Sequence, residues 1–269
     1  MGKIYVSSDW HGCGDVAKRA LNYLKEDDTL YFLGDAIDRG NDGANMMLDL
    51  LEDSRVIYLK GNHEDFFARS AENLLSGYEC NFNDLWLYGN GGFVTWERLI
   101  KLLSKNDLLK LAKRVSELPQ RKTYVSTQGH HLVIMEHAGF SPFSANIREK
   151  AEHDPLWDRE HFHDRWTIKG DTTYSFMHPE STYIVHGHTP VQYLKYYYGY
   201  YDCEENVNKK FTAEELEEKY QFLHEGNNIK KPEIIRYCDG HKFDIDMCTI
   251  SSNRIALLDL DTFETVYID

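Results

Sequence analysis

The chain has 269 residues, 42% of them hydrophobic, with 44 acidic against 30 basic side chains and a formal net charge of −14. That length favours one domain whose core needs no disulfide staples, and the acidic balance argues against a general nucleic-acid binder, which needs a basic face. Cys13, Cys80, Cys203, Cys238 and Cys248 form an odd set without a C-x-x-C pair, and no apolar run approaches membrane-spanning length, so the expectation is a cytoplasmic protein without signal peptide or membrane partner.

Residues 3–8 read as a buried strand centred on Ile4, Tyr5 and Val6, ending at Asp9-Trp10-His11-Gly12. A helix is expected from about Asp15, with Val16, Ala17, Ala20, Leu21 and Leu24 on one face. Residues 29–33 are a second strand, running into Gly34-Asp35-Ala36-Ile37-Asp38-Arg39-Gly40. Ala44, Met47, Leu48 and Leu51 have the i, i+3, i+4, i+7 spacing of the next helix. Residues 55–59 are a third strand, which gives way at Lys60-Gly61-Asn62-His63-Glu64 to a helix marked by Phe66, Phe67, Leu74 and Leu75. This βαβαβ alternation predicts a parallel sheet with right-handed crossovers.

Residues 77–95 are expected to be loop, with Gly77, Gly89, Gly91 and Gly92 as breakers. Leu108, Leu111, Ala112 and Val115 mark a helix stopped near Pro119. Residues 122–127 and 131–136 look like strands around a Gln128-Gly129-His130 turn, so the second half is expected to turn antiparallel. Residues 183–185 are a further strand, ending at His186-Gly187-His188. Residues 199–233 read as an insertion in a single 1–269 domain, with a capping-box pattern at Thr212-Ala213-Glu214-Glu215. The tyrosine run 196–201 reads as strand surface, and residues 254–260 and 263–268 as a terminal hairpin.

Five strand ends thus carry chemistry: Asp9 and His11, Asp35, Asn62, His137 before Ala138-Gly139, and His188 after Gly187. Ligands bind at such strand ends in open α/β sheets. Alone, an Asp or His there is more often a cap than a ligand. Together, carboxylate, imidazole and amide oxygen suit Mn²⁺, Fe or Zn²⁺, and six such groups exceed what one catalytic ion needs. A bridging carboxylate can hold two ions about 3.5–4 Å apart, a pair that activates water for in-line attack.

In order and spacing, Asp9-Trp10-His11-Gly12, Gly34-Asp35-Ala36-Ile37-Asp38-Arg39-Gly40 and Gly61-Asn62-His63-Glu64 resemble the signatures of the metal-dependent phosphoprotein phosphatases. Those enzymes belong to the calcineurin-like metallophosphoesterases. His137-Ala138-Gly139 and Gly187-His188-Thr189 are similar to the family's later histidine motifs, and Leu156-Trp157-Asp158-Arg159 resembles an arginine motif of its bacterial and phage members. The resemblance implies two mixed sheets packed as a sandwich flanked by helices. It implies two divalent ions, Mn²⁺ first, with Asp9 and His11 on one, Asp35 bridging, and Asn62, His137 and His188 on the other. It makes His63 the general acid, oriented by Asp38, and Arg39 and Arg159 the grips on phosphate, with Asn62 alongside. Lys60, a further candidate for binding phosphate, stands where the family usually has arginine; it keeps the charge and loses the bidentate fork.

The implied activity is hydrolysis of phosphomonoesters, with phosphoserine or phosphothreonine proteins as substrates and phosphotyrosine also open. The alternative is a hydrolase of dinucleoside polyphosphates, such as a diadenosine tetraphosphatase, or of another small phosphate compound. A nuclease or cyclic-nucleotide phosphodiesterase ranks lower, because Pro190 stands where those relatives commonly have a further histidine. A non-catalytic scaffold ranks last, because the ligand set and His63 are complete. His186 reads as a hydrogen-bonding neighbour of His188. The cluster His153, Asp154, Asp158, His161, His163 and Asp164 reads as a polar flap rather than another metal site, and no role follows for Asp244 and Asp246.

Overall fold

The structure is a computed structural model that describes residues 2–140 except 79, 154–163, 181–192, and 231–269 except 239. The expected insertion up to residue 230, the tyrosine run, His153 and Asp164 lie outside the described residues. The strands are β1 (Ile4–Ser7), β2 (Thr29–Phe32), β3 (Val56–Tyr58), β4 (Arg121–Ser126), β5 (His131–Glu136), β6 (Thr182–His186), β7 (Ile235–Tyr237), β8 (Lys242–Asp244), β9 (Ile255–Asp259) and β10 (Thr265–Ile268). The helices are α1 (Gly14–Tyr23), α2 (Gly43–Glu52), α3 (Asn62–Ser76), α4 (Asn81–Asp84), α5 (Gly92–Leu102), α6 (Lys105–Ser116) and α7 (Thr249–Ser252). A π-helical turn, Leu85–Gly89, follows α4, and a 3₁₀ turn spans Glu160–His163.

The first sheet runs β10-β9-β1-β2-β3, parallel through β1, β2 and β3, with the terminal hairpin added antiparallel. The second runs β4-β5-β6-β8-β7. Its β4–β5 hairpin is antiparallel as expected, but β5, β6 and β8 are mutually parallel, which corrects the expectation of an antiparallel second half. Val6, Leu33 and Leu59 of the first sheet meet Val133, Met135, Val185 and Phe243 of the second in one buried layer. Such sheet-on-sheet burial needs strands apolar on the inner face. The outer face of the first sheet buries Leu30 and Phe32 under Val16, Ala20, Met47, Leu50, Phe67 and Val115 of the helices. This is an α/β sandwich of two mixed five-stranded sheets flanked by helices.

Residues 77–95 are not a loop. Gly77 does close α3, at φ 74°, and Gly91, at φ 79°, does cap α5. Between them the chain coils into α4 and the π-helical turn, because Trp86 is driven into the core. Gly92 is there for packing rather than flexibility: a Cβ on it would stand 2.3 Å from the Trp86 indole nitrogen. β7 and β8 also escape a reading by long apolar runs. Their signal is the Asp239-Gly240 pair between two short β-branched and aromatic runs, a common hairpin dipeptide. Among the described residues no helix is long and apolar enough to cross a membrane.

Candidate active site

The carboxyl ends of β1, β2, β3, β5 and β6 carry Asp9, Asp35, Asn62, His137 and His188, and the fold brings them to one place. His188 N donates to Asp9 Oδ2 at 3.0 Å, and His63 N donates to Asp35 Oδ1 at 3.1 Å. Asn62 Oδ1 lies 2.8 Å from His137 Nε2 and 3.0 Å from His188 Nδ1. His11 Nε2 is 3.6 Å from Asp35 Oδ2 and 3.9 Å from Asp9 Oδ1, and His137 Nε2 is 3.5 Å from Asp35 Oδ1. Asp35 therefore stands between two groups of donors, as a bridging carboxylate must.

The backbone is bent to achieve this. Asp9, His11, Asp35, Asp38, Arg39 and His188 all have φ between 42° and 72°, the left-handed region. Each costs an L-residue about 1–2 kcal/mol, and such strain concentrates where function requires it. Gly187 and Gly61 permit close approach here, since a Cβ on either would lie 2.1 Å from Asp9 Oδ2 or Asp35 Oδ1 respectively. Glu64, fully buried in the first turn of α3, holds the strand ends in register. Its Oε2 accepts from Asp35 N and Gly61 N, and its Oε1 from Ala36 N and Tyr58 Oη, at 2.7–2.9 Å.

Lone pairs crowd this centre. His11 Nδ1 donates to Ile37 O and His137 Nδ1 to Leu33 O, so in the neutral rings each Nε2 turns an unprotonated lone pair inward. Asp9 Oδ1 and His188 Nε2 are buried without a hydrogen-bond partner among the described residues. Burial and repulsion from Asp9 and Glu64 hold the Asp35 carboxyl well above its usual range, and burial with its cationic neighbours holds His11 and His188 well below theirs. Buried acceptors facing one another need a cation. The donor set, oxygen and imidazole without thiolate, fits hard or borderline divalent ions.

Two triplets have ligand atoms mutually close enough for an ion: Asp35, His137 and His188, and His11, Asp35 and His63. The second contains His63 where the sequence reading has Asp9. We favour Asp9, because its free Oδ1 is a buried carboxylate oxygen lacking a partner among the described residues, whereas both His63 ring nitrogens have partners. His63 Nδ1 lies 2.7 Å from Asp38 Oδ2, and its Nε2 accepts from Arg39 Nη2 at 3.1 Å. Arg39 Nη1 donates to His11 Nε2 at 3.0 Å, so the guanidinium spans the mouth of the site between two imidazoles.

Asp38 is itself set by residues that sequence reasoning missed. Trp86 Nε1 donates to Asp38 Oδ2 at 2.7 Å, and Asp38 N donates to Thr95 Oγ1 at 2.9 Å. Burial pushes Asp38 up to about 7, against those bonds and the Arg39 charge. Glu64 was also missed as a functional residue, although an acidic third residue of a helix is an N-terminus signal. Asp244 and Asp246 are buried, with their carboxyls held well above the usual range by burial and by repulsion, Asp9 contributing to both.

Arg159 Nε donates to Thr189 Oγ1 at 3.1 Å, next to His188, and the Trp157 ring meets His188 edge-on at 5.5 Å. His186 stands outside the ligand groups, its Nε2 2.6 Å from Tyr237 Oη and its Nδ1 donating to Gly187 O. His161 of the supposed flap is buried, donates from Nε2 to Ala138 O, and lies 3.0 Å through Nδ1 from Tyr237 Oη. Lys60 is committed elsewhere: its ammonium binds Asp65 Oδ1 at 3.1 Å and Ser116 O at 3.3 Å.

Comparison with known proteins finds the following likenesses. The chain is similar to a protein described as a putative diadenosine tetraphosphatase, with 14% identity over 99% of this chain and 93% of that one and a TM-score of 0.51. It is similar to a protein serine/threonine phosphatase from Saccharomyces cerevisiae with similarity to human phosphatase PP5, with 14% identity over 99% of this chain and 78% of that one and a TM-score of 0.45. It is also similar to a cold-active protein-tyrosine phosphatase of a psychrophilic Shewanella, with 12% identity over 100% of this chain and 81% of that one and a TM-score of 0.47. Only the first of these, with a TM-score above 0.5, bears on the fold, and none bears on the substrate. No curated protein matches the chain. The sequence model of the calcineurin-like phosphoesterases matches residues 2–223, most of the molecule, and the chain belongs to that family.

Proposed function

We propose that the chain is a metal-dependent phosphomonoesterase acting on phosphorylated protein side chains, serine and threonine first. The observation that carries this reading is the buried His63–Asp38 pair, 2.7 Å apart, placed with Arg39 beside the lone-pair-rich centre. Two divalent ions, held by Asp9, His11 and Asp35 and by Asp35, Asn62, His137 and His188, would supply Lewis acidity toward phosphoryl oxygens and make water nucleophilic near neutrality. Mn²⁺ suits the donors, with Fe or Zn²⁺ as alternatives.

The chain's own residues do the rest. Arg39 carries a planar fork that matches phosphate oxygens. When it turns from His63 to a substrate, the nearest positive charge leaves the imidazole and a dianion arrives, which favours a proton on Nε2. His63 then gives that proton to the departing alkoxide, with Asp38 fixing the ring. Arg159 is the second phosphate grip, positioned through Thr189. A phosphoprotein or small phosphoester is the only partner this requires.

The test is turnover of para-nitrophenyl phosphate, of a phosphoserine peptide and of diadenosine tetraphosphate. Chelation should abolish activity and Mn²⁺ restore it, with the peptide preferred to the dinucleotide. Turnover that survives exhaustive chelation overturns the mechanism, and preference for diadenosine tetraphosphate overturns the substrate class.

A further inference from the structure

Three exposed apolar side chains, Leu85, Tyr88 and Phe93, fall within nine residues, at 52%, 71% and 44% exposure. Tyr88 and Phe93 stack, with ring centroids 6.1 Å apart and planes 24° from parallel. The same stretch is fastened to the active site from its inner side. Trp86 bonds Asp38, Thr95 accepts from Asp38 N, and Gly91 O accepts from Arg39 N at 3.3 Å. A Cβ on Gly91 would lie 3.3 Å from Arg39 Cγ, so the segment rests directly on the arginine. Its inner side thus packs Trp86 and Leu87 into the core and makes polar contacts to Asp38 and Arg39, while Leu85, Tyr88 and Phe93 stay open to solvent. π-Helical turns are frequent at functional sites, and clustered exposed apolar side chains mark binding surfaces.

We propose that Leu85, Tyr88 and Phe93 form a specificity subsite for an apolar or aromatic side chain flanking the phosphorylated residue of a peptide. This rests on the phosphomonoesterase reading. The leaving group departs on the side of the proton donor, His63, and the leaving group carries the rest of the substrate. Asp38, Trp86 and the π-helical turn support that side of the site. A nucleobase fits the patch less well, because reading its edge needs free polar groups and the Asn90 amide nitrogen is already bonded to Leu85 O. A dinucleoside polyphosphate also brings several negative charges to a chain of net charge −14. A peptide side chain needs apolar area alone.

The experiment compares two phosphoserine peptides, identical except for Phe or Gly beside the phosphoserine, on the Mn²⁺-loaded full chain. The quantity read is the ratio of their kcat/KM values. In the wild type the Phe peptide should be favoured. Tyr88→Ala alone, and Tyr88→Ala with Phe93→Ala, should lower that ratio, the double variant by about tenfold and through KM. A wild type indifferent to the flank, or a ratio unchanged in both variants, overturns this subsite while leaving phosphomonoester hydrolysis standing. A selective loss of diadenosine tetraphosphate turnover in the variants overturns it in favour of a nucleobase. No wild-type turnover of either peptide or of para-nitrophenyl phosphate overturns the phosphomonoesterase reading, and this subsite with it.

Discussion

His63 faces two opposing demands. Burial, helped by the Arg39 and His137 charges, holds its imidazole well below the usual range, whereas the proposed role of general acid requires it to carry a proton. Under the proposed mechanism, a substrate anion that draws Arg39 away from His63 would resolve this. His63→Asn should lower kcat by about 10²- to 10⁴-fold while two metal equivalents remain bound, measured by elemental analysis after gel filtration. Loss of one equivalent would make His63 a ligand and return Asp9 to a structural role. At this scale the sequence was informative where side chains end strands, because Asp9, Asp35, Asn62, His137 and His188 follow apolar runs. It was uninformative for Trp86 and Thr95. Their contacts with Asp38 span 48 and 57 residues, and nothing in their local pattern separates them from core.

Among the elements, the amino end of α3 matters most, because Glu64 joins it to the turn after β2 through Asp35 N and Ala36 N, to β3 through Tyr58 Oη, and to its own N-cap through Gly61 N. Glu64→Gln places an NH₂ among those donors and strands part of them. It should cost about 2–4 kcal/mol in urea unfolding and weaken metal binding by displacing Asp35. Unaltered stability would mean that the clamp is dispensable. The first three strands and their crossover helices were legible because their apolar runs are bounded by turn residues. The stretch from α4 to α5 was not, because its glycines serve close packing against Trp86 and Arg39 as well as turning. No local signal distinguishes those two uses of glycine.

For the molecule as a whole, His186 is a buried source of acid sensitivity. With 44 acidic against 30 basic residues, surface acidification relieves self-repulsion and favours the compact state. Buried His186 works the other way. Burial lowers it from 6.5 to about 3, so the unfolded chain binds its proton first as pH falls. Its contribution is whole above about pH 6.5 and is lost as pH drops toward 3. His186→Gln should therefore narrow the stability gap to wild type on acidification, by up to about 1.4 kcal/mol per pH unit. Urea titrations of chelated protein at several pH values check this, and a gap independent of pH would show that His186 is not the source.

Asp9, Asp35 and Asn62 hang from one sheet, His137 and His188 from the other, and their meeting point lies along the seam of the sandwich. Ions seated there would rivet the two halves together. Their loss would then loosen architecture as well as silence chemistry, making cation supply a determinant of how long the molecule survives.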